Sequence, residues 1–150
     1  MSTVRKFRVK TRLASMIREP GGIHISEALK RGDEVIAAQT DKFLDQIDAC
    51  LASIETLFAD PGHDPEEMYR LSTDIVSLCA VLPDPSLADV ARSLCELIDQ
   101  AGETGRGRPK ADAVQVHIAS MKLLHRTGLD PAASREIVMS LGKMVAKLDH

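Results

Sequence analysis

Three times in this chain an aspartate and a proline stand together just ahead of an apolar run, at Asp64-Pro65, Asp84-Pro85 and Asp130-Pro131. An aspartate carboxylate accepts hydrogen bonds from the backbone N–H groups left open at a helix start. Proline fits the first helical position, where its missing N–H costs nothing. Each pair therefore predicts a helix, and the residues that follow keep a helical period. From Pro65 the inward positions are Met68, Leu71, Ile75, Leu78, Cys79 and Leu82, and from Pro85 they are Leu87, Val90, Ala91, Leu94, Leu97 and Ile98. From Pro131 they are Ile137, Leu141, Met144, Val145 and Leu148. A fourth helix, from about Asp112 to Arg126, turns Val114, Ile118, Met121 and Leu124 inward and ends at Gly128. Apolar residues make up 44% of the chain but aromatics only 3%, so the core is aliphatic, a composition suited to packed helices rather than a sheet.

A longer helix precedes these. From Ser26 to Ala59 the residues Leu29, Ile36, Phe43, Ile47, Leu51, Ile54 and Phe58 recur at three- and four-residue steps or their multiples, which puts them on one stripe. Ser26 is its expected N-cap, Gly32 a point of bending or interruption, and "DPGHDP" its end. "EPGG" at Glu19 to Gly22 breaks any helix formed by "TRLASMI". The predicted organisation is a basic, partly disordered segment over 1–22 and one helical domain over 23–150. The fold expected is all-α, an up-and-down four-helix bundle with a long first helix. "AGETGRGRPKAD" reads as a mobile surface loop.

The net charge of −3 conceals an asymmetry. Arg5, Lys6, Arg8, Lys10, Arg12 and Arg18 fall in the first 18 residues with no acid among them, leaving 13 basic and 22 acidic residues, a net of −9, for the remainder. That remainder is a poor nucleic-acid binder on electrostatic grounds, and no specific nucleic-acid partner is expected. The basic head could touch nucleic acid, an anionic membrane or an acidic partner, or remain a solvated tail. No apolar run reaches the roughly 20 residues of a transmembrane helix and no secretory signal is visible, so a cytoplasmic location is expected. Cys50, Cys79 and Cys95 share no metal-ligand spacing and lie on apolar faces, as buried reduced thiols do. No P-loop, dinucleotide-binding glycine pattern, HExxH or nucleophile elbow occurs, and no cofactor or metal is expected.

The hairpin from Met68 to Asp99, with "LSTDIVSLCAVL" followed by "LADVARSLCELI", resembles the central helix pair of histidine-phosphotransfer domains over 32 of the 150 residues. Those domains are four-helix bundles that relay phosphate between kinases and response regulators, through a His-x-x-Lys-Gly pattern on the first helix of the pair. Here Ser72 to Asp74 face the histidine slot, Val76 or Ser77 stands where lysine would be, and no glycine follows. The resemblance implies a phosphotransfer-like module that has lost its phosphate carrier. Asp74 does not replace it, because acyl-phosphate chemistry needs a metal-binding acidic pocket that one helix face does not supply. The partner implied is a receiver domain or histidine kinase, met by the outward face of the hairpin, with Arg70, Thr73, Asp74 and Ser77 as contacts.

An alternative is true phosphotransfer through His117 in "VQVHIASMKLLHR". Neutral imidazole is a competent phosphoryl acceptor near pH 7, but it needs a cation close by. Lys122, five residues on, lies roughly 140° around the helix and is poorly aimed. The alternative therefore requires His117 on an open face with a Lys or Arg supplied by another helix. His125 is too far along the helix to share a metal with His117 and suits the helix C-terminus. A second alternative is a structural protein that pairs with its own copy as a homodimer through residues 26–59. Over its whole length the chain is also similar in cadence, through "RLASMIREPGG", "SLCELID" and "VHIASMKLL", to alphaproteobacterial chemotaxis accessory proteins of the CheE type. Together these imply a signalling adaptor of two-component or chemotaxis type rather than an enzyme.

Overall fold

The computed structural model describes residues 21–105, 107–126 and 128–148. Residues 1–20, most of the expected basic segment, lie outside the described residues. All regular structure among the described residues is helical: α1 (Ile25–Ala59), α2 (Pro65–Leu78), a 3₁₀ turn (Cys79–Val81), α3 (Ser86–Glu103), α4 (Ala111–Arg126) and α5 (Pro131–Leu148). The chain divides into two compact units, 1–37 and 38–150.

In the first unit α1 begins one residue ahead of the expected cap. The His24 carbonyl accepts from the N–H groups of Glu27 and Ala28, each at 2.9 Å, so Ser26 lies within the first turn instead of capping it. The helix passes through Gly32 without interruption. Glu27 and Arg31 pair at 2.6 Å across one turn, and Lys30 and Glu34 approach to 3.9 Å. Ile23, Ile25, Leu29, Val35 and Ile36 are exposed.

In the second unit the remaining turns of α1 bury Ile47, Leu51 and Ile54. The centre of this unit is α3, which packs on α2, α4 and α5, while α4 and α5 also pack on each other. Its sequence explains why. Leu87, Val90, Ala91, Leu94, Leu97 and Ile98 form a broad apolar face, and Ala88, Cys95 and Ala101 extend the buried surface. Small side chains at these added positions let neighbouring helices approach closely on several sides. The inward residues named for α2 and α4 join the same core, with Leu78, Leu82 and Leu124 half-buried at its edge. In α5, Leu141 and Val145 are buried and Ile137 and Met144 half-buried, while the Leu148 side chain lies outside the described residues.

The aspartates perform their expected work. Asp64, in extended backbone, accepts from the N–H of Glu66 at 3.0 Å with Pro65 at the helix start. Asp84 accepts from Ser86 N–H at 2.9 Å, and Asp130 from Ala132 N–H at 3.3 Å. α2 ends earlier than its apolar period predicts. Leu82 precedes Pro83, whose ring pushes the preceding residue into extended backbone, here φ −84° and ψ 144°, so the helix tightens into the 3₁₀ turn. The expected mobile loop is tied down: the Arg108 guanidinium donates to the carbonyls of Pro61 and of His63, the latter at 2.8 Å, fastening it to the α1–α2 connection. After α4 the chain turns at Gly128 with φ 52°, a left-handed backbone that favours glycine.

Leu94, fully buried at the middle of α3, tests this arrangement. Leu94→Ala should lower the free energy of unfolding by about 2–5 kcal/mol, read as a lower urea midpoint at unchanged slope. A change below about 1 kcal/mol would mean that α3 is not the packed centre.

Candidate partner-binding face

On α2 the residues Arg70, Thr73, Asp74 and Ser77 follow the i, i+3, i+4, i+7 spacing of one helical face. Arg70 grips Glu67 with two hydrogen bonds, Nη2 to Oε1 at 2.6 Å and Nε to Oε2 at 2.9 Å, and reaches Asp74 Oδ2 with Nη1 at 2.7 Å. The result is a row of carboxylate, guanidinium and carboxylate along the surface. The bond from Arg70 draws the Glu67 carboxyl below its ordinary value, and the Glu67 carboxylate holds the guanidinium proton still more firmly. All three side chains are about half exposed, so the row adds little to stability in water, but it fixes a defined charge pattern with excess acid.

The two hydroxyls divide the face. Thr73 Oγ1 donates to the Tyr69 carbonyl at 3.1 Å and lies 3.8 Å from Cys95 Sγ on α3. Ser77 Oγ donates to the Thr73 carbonyl at 3.1 Å. Asp74 and Ser77 border a shallow depression of about 380 Å³ shared with Gln46, Ala49 and Cys50 of α1. The four predicted contacts thus share a helix face but look toward two seams, Thr73 toward α3 and Asp74 with Ser77 toward α1. Cys50 at this seam is half-buried, and burial, followed by the nearby Asp74 carboxylate, raises its thiol above the ordinary value. Cys79 and Cys95 are buried, and desolvation pushes Cys79 up to about 11, which leaves it a poor nucleophile at neutral pH.

His117 has a different setting. Its ring is 0% exposed. Nδ1 lies 2.7 Å from the Ala113 carbonyl, which can only accept, so Nδ1 carries the proton. Nε2 is then the acceptor for the Ser93 hydroxyl of α3 at 3.0 Å. Both nitrogens are used, and a phosphoryl group could reach either only after the contact between α3 and α4 opened. Lys122 does not serve it either, since its ammonium pairs with Glu55 of α1 at 2.6 Å. His125 does not simply close its own helix: its Nε2 lies 3.3 Å from Asp48 Oδ1 of α1. Among the described residues no cluster of His, Cys, Asp and Glu could hold a metal ion, and no helix is long and apolar enough to cross a membrane.

Sequence reasoning missed the partner of His117 and a cleft beside α5. Ser93 gives no signal as the partner of His117, because 24 residues and a helix change separate them. A cleft of about 1080 Å³ opens where the connection between α2 and α3 meets the start of α5, with Leu82, Asp84, Leu124, Arg135 and Met139 in its walls. The paired Asp-Pro starts at Asp84 and Asp130 are the only trace of it in the sequence. No family model, curated protein or solved structure matches this chain.

Burial lowers the His117 imidazole below its ordinary value of 6.5, and the bond to the Ala113 carbonyl opposes the shift without cancelling it. The folded ring therefore binds its proton more weakly than the unfolded one. Above 6.5 both states are neutral and the contribution of the buried ring is complete. As pH falls below that value the unfolded chain takes up the proton first and stability declines. His117→Gln should flatten the stability slope measured by urea unfolding between about pH 7.5 and about pH 5.5, and an unchanged slope would show the ring to be solvated.

Proposed function

We propose that this chain is a signalling adaptor of the two-component or chemotaxis type, a phosphotransfer-like helical module without the His-x-x-Lys-Gly site. It binds a response-regulator receiver domain or a histidine kinase by the outward face of α2. On this reading α2 and α3 are the central pair of a four-helix arrangement, and the module works by occupying its partner rather than by carrying phosphate.

The observation that carries the reading is the state of Arg70, the one cation on the predicted contact face, held by Glu67 on one side and Asp74 on the other. A phosphoryl acceptor site needs a cation free to meet the incoming oxygens. This face holds its cation neutralised and offers carboxylate oxygens and hydroxyls instead, a surface for recognition. The position of α3 against α2, α4 and α5 gives the hairpin a rigid base, so the face is presented without reorganisation. The buried, doubly bonded His117 leaves the later helix without an acceptor directed outward.

The test is incubation of the purified chain with phosphorylated receivers and active kinases, with acid-labile label and binding read in parallel. The expected outcome is binding without label on the chain, with affinity reduced about tenfold or more by Asp74→Lys. Label that disappears in His117→Ala would replace this reading with true phosphotransfer, and absence of binding to any receiver or kinase would end it.

A further inference from the structure

We propose that the stripe from Ile25 to Ile36 of α1 binds the same stripe of a second copy of this chain. The two helices run antiparallel, and Leu29 of each copy seats against Gly32 of the other.

Two independent observations meet in this stretch, all of which lies in the first unit. The first is an apolar side turned to solvent. At 3.6 residues per turn Ile25, Ala28, Leu29, Gly32, Val35 and Ile36 share one stripe about 120° wide. Ile25 is 79%, Leu29 64%, Val35 59% and Ile36 44% exposed. Glu27, Lys30, Arg31, Asp33 and Glu34 all lie on the rest of the circumference, where Arg31 pairs with Glu27 and Lys30 approaches Glu34. The second observation is Gly32 itself. A glycine in the middle of a helix weakens it. A side chain there would meet nothing within 4 Å, so no contact among the described residues calls for glycine.

A second copy accounts for both. Ile25, Leu29, Gly32 and Ile36 alternate steps of four and three residues, the seam of a two-helix coil. In the antiparallel register that sets Ile25 beside Ile36 of the other copy, Leu29 falls beside Gly32, and symmetry repeats both layers. A large side chain then meets the gap left by a small one. On one flank Ala28 meets Val35, and on the other the Ser26 hydroxyl meets the Asp33 carboxylate, so no like charges oppose each other. A parallel pair would set Gly32 against Gly32 and leave a void. A bilayer is the poorer occupant, because a helix lying in its interface carries a basic polar face. Here that face has three acids and two bases, and both bases have acidic neighbours one turn away. A strip of three to four turns falls short of the roughly 800 Å² per partner of a standard interface, so the pair is a reversible one. This inference does not depend on the proposed partner of α2.

The experiment is sedimentation equilibrium of the full chain from about 5 to about 200 micromolar, where a reversible equilibrium between monomer and dimer is expected. Leu29→Glu should raise the dissociation constant at least about tenfold while leaving the far-ultraviolet circular dichroism unchanged, because the side chain is exposed. Gly32→Leu separates a fitted seam from general stickiness. It adds apolar surface and favours the helix, yet it fills the space that Leu29 of the other copy needs, so dimerisation should weaken at least about tenfold. A chain that stays monomeric throughout overturns the proposal. So does a dimer that survives Leu29→Glu or that Gly32→Leu strengthens. Wild-type chain that is monomeric yet pellets with phosphatidylglycerol vesicles, and no longer does so as Leu29→Glu, would assign the stripe to a bilayer instead.

Discussion

The packing of residues 38–150 depends on the burial of α3. Val90, Ala91 and Leu94 have no exposed surface, and their neighbours touch α2, α4 and α5 in turn. A helix enclosed on so many sides must be apolar over most of its circumference yet narrow at its closest contacts. The alternation of Leu and Val with Ala88, Ala91, Cys95 and Ala101 meets both requirements. α2, α4 and α5 are amphipathic in the ordinary sense, each turning an apolar face toward α3.

Burial of α3 also accounts for the polar groups inside. A serine and a histidine at a helix–helix contact are tolerable only if they satisfy each other. Ser93 and His117 do this across α3 and α4, and the Ala113 carbonyl takes the remaining ring proton. Ser72 solves the same problem within its own helix, donating to the Met68 carbonyl at 2.8 Å. Among the described residues no buried side-chain nitrogen or oxygen lacks a partner. The group with the best intrinsic phosphate chemistry is thus used as a polar tie between two helices, and the Lys122 ammonium further along α4 is paired with Glu55.

Legibility in the sequence followed the range of each interaction. The Asp-Pro starts are local, a carboxylate reaching N–H groups two residues away, and they could be placed from the residues alone. The apolar periods are nearly as local, and the inward residues of α2, α3 and α4 were readable from them. Periodicity identifies a face without saying whether anything covers it. Ile47 and Ile54 are buried whereas Leu29 stands open, although one period predicted all three. The early end of α2 was encoded in Pro83 but concealed by an apolar pattern that continues to Leu82. Interactions across the fold left no trace: the grip of Arg108 on the α1–α2 connection, the reach of His125 to Asp48 and the pairing of Ser93 with His117 all require knowing which helices are neighbours.

The electrostatic layout limits what a partner of α2 can look like. Every cation described on the outward side of α2 and α3 is held by a carboxylate of its own helix, Arg70 by Glu67 and Asp74, and Arg92 by Asp89 at 2.7 Å. Pairs one helical turn apart hold their geometry with little loss of freedom, so an approaching surface meets a fixed pattern rather than mobile arms. With each arginine neutralised and Glu67–Arg70–Asp74 in net acidic balance, the pattern repels anions and rewards a partner that brings its own basic or hydrogen-bond-donating groups. Free phosphate is therefore a poor match for this face, whereas a protein surface with complementary donors fits it.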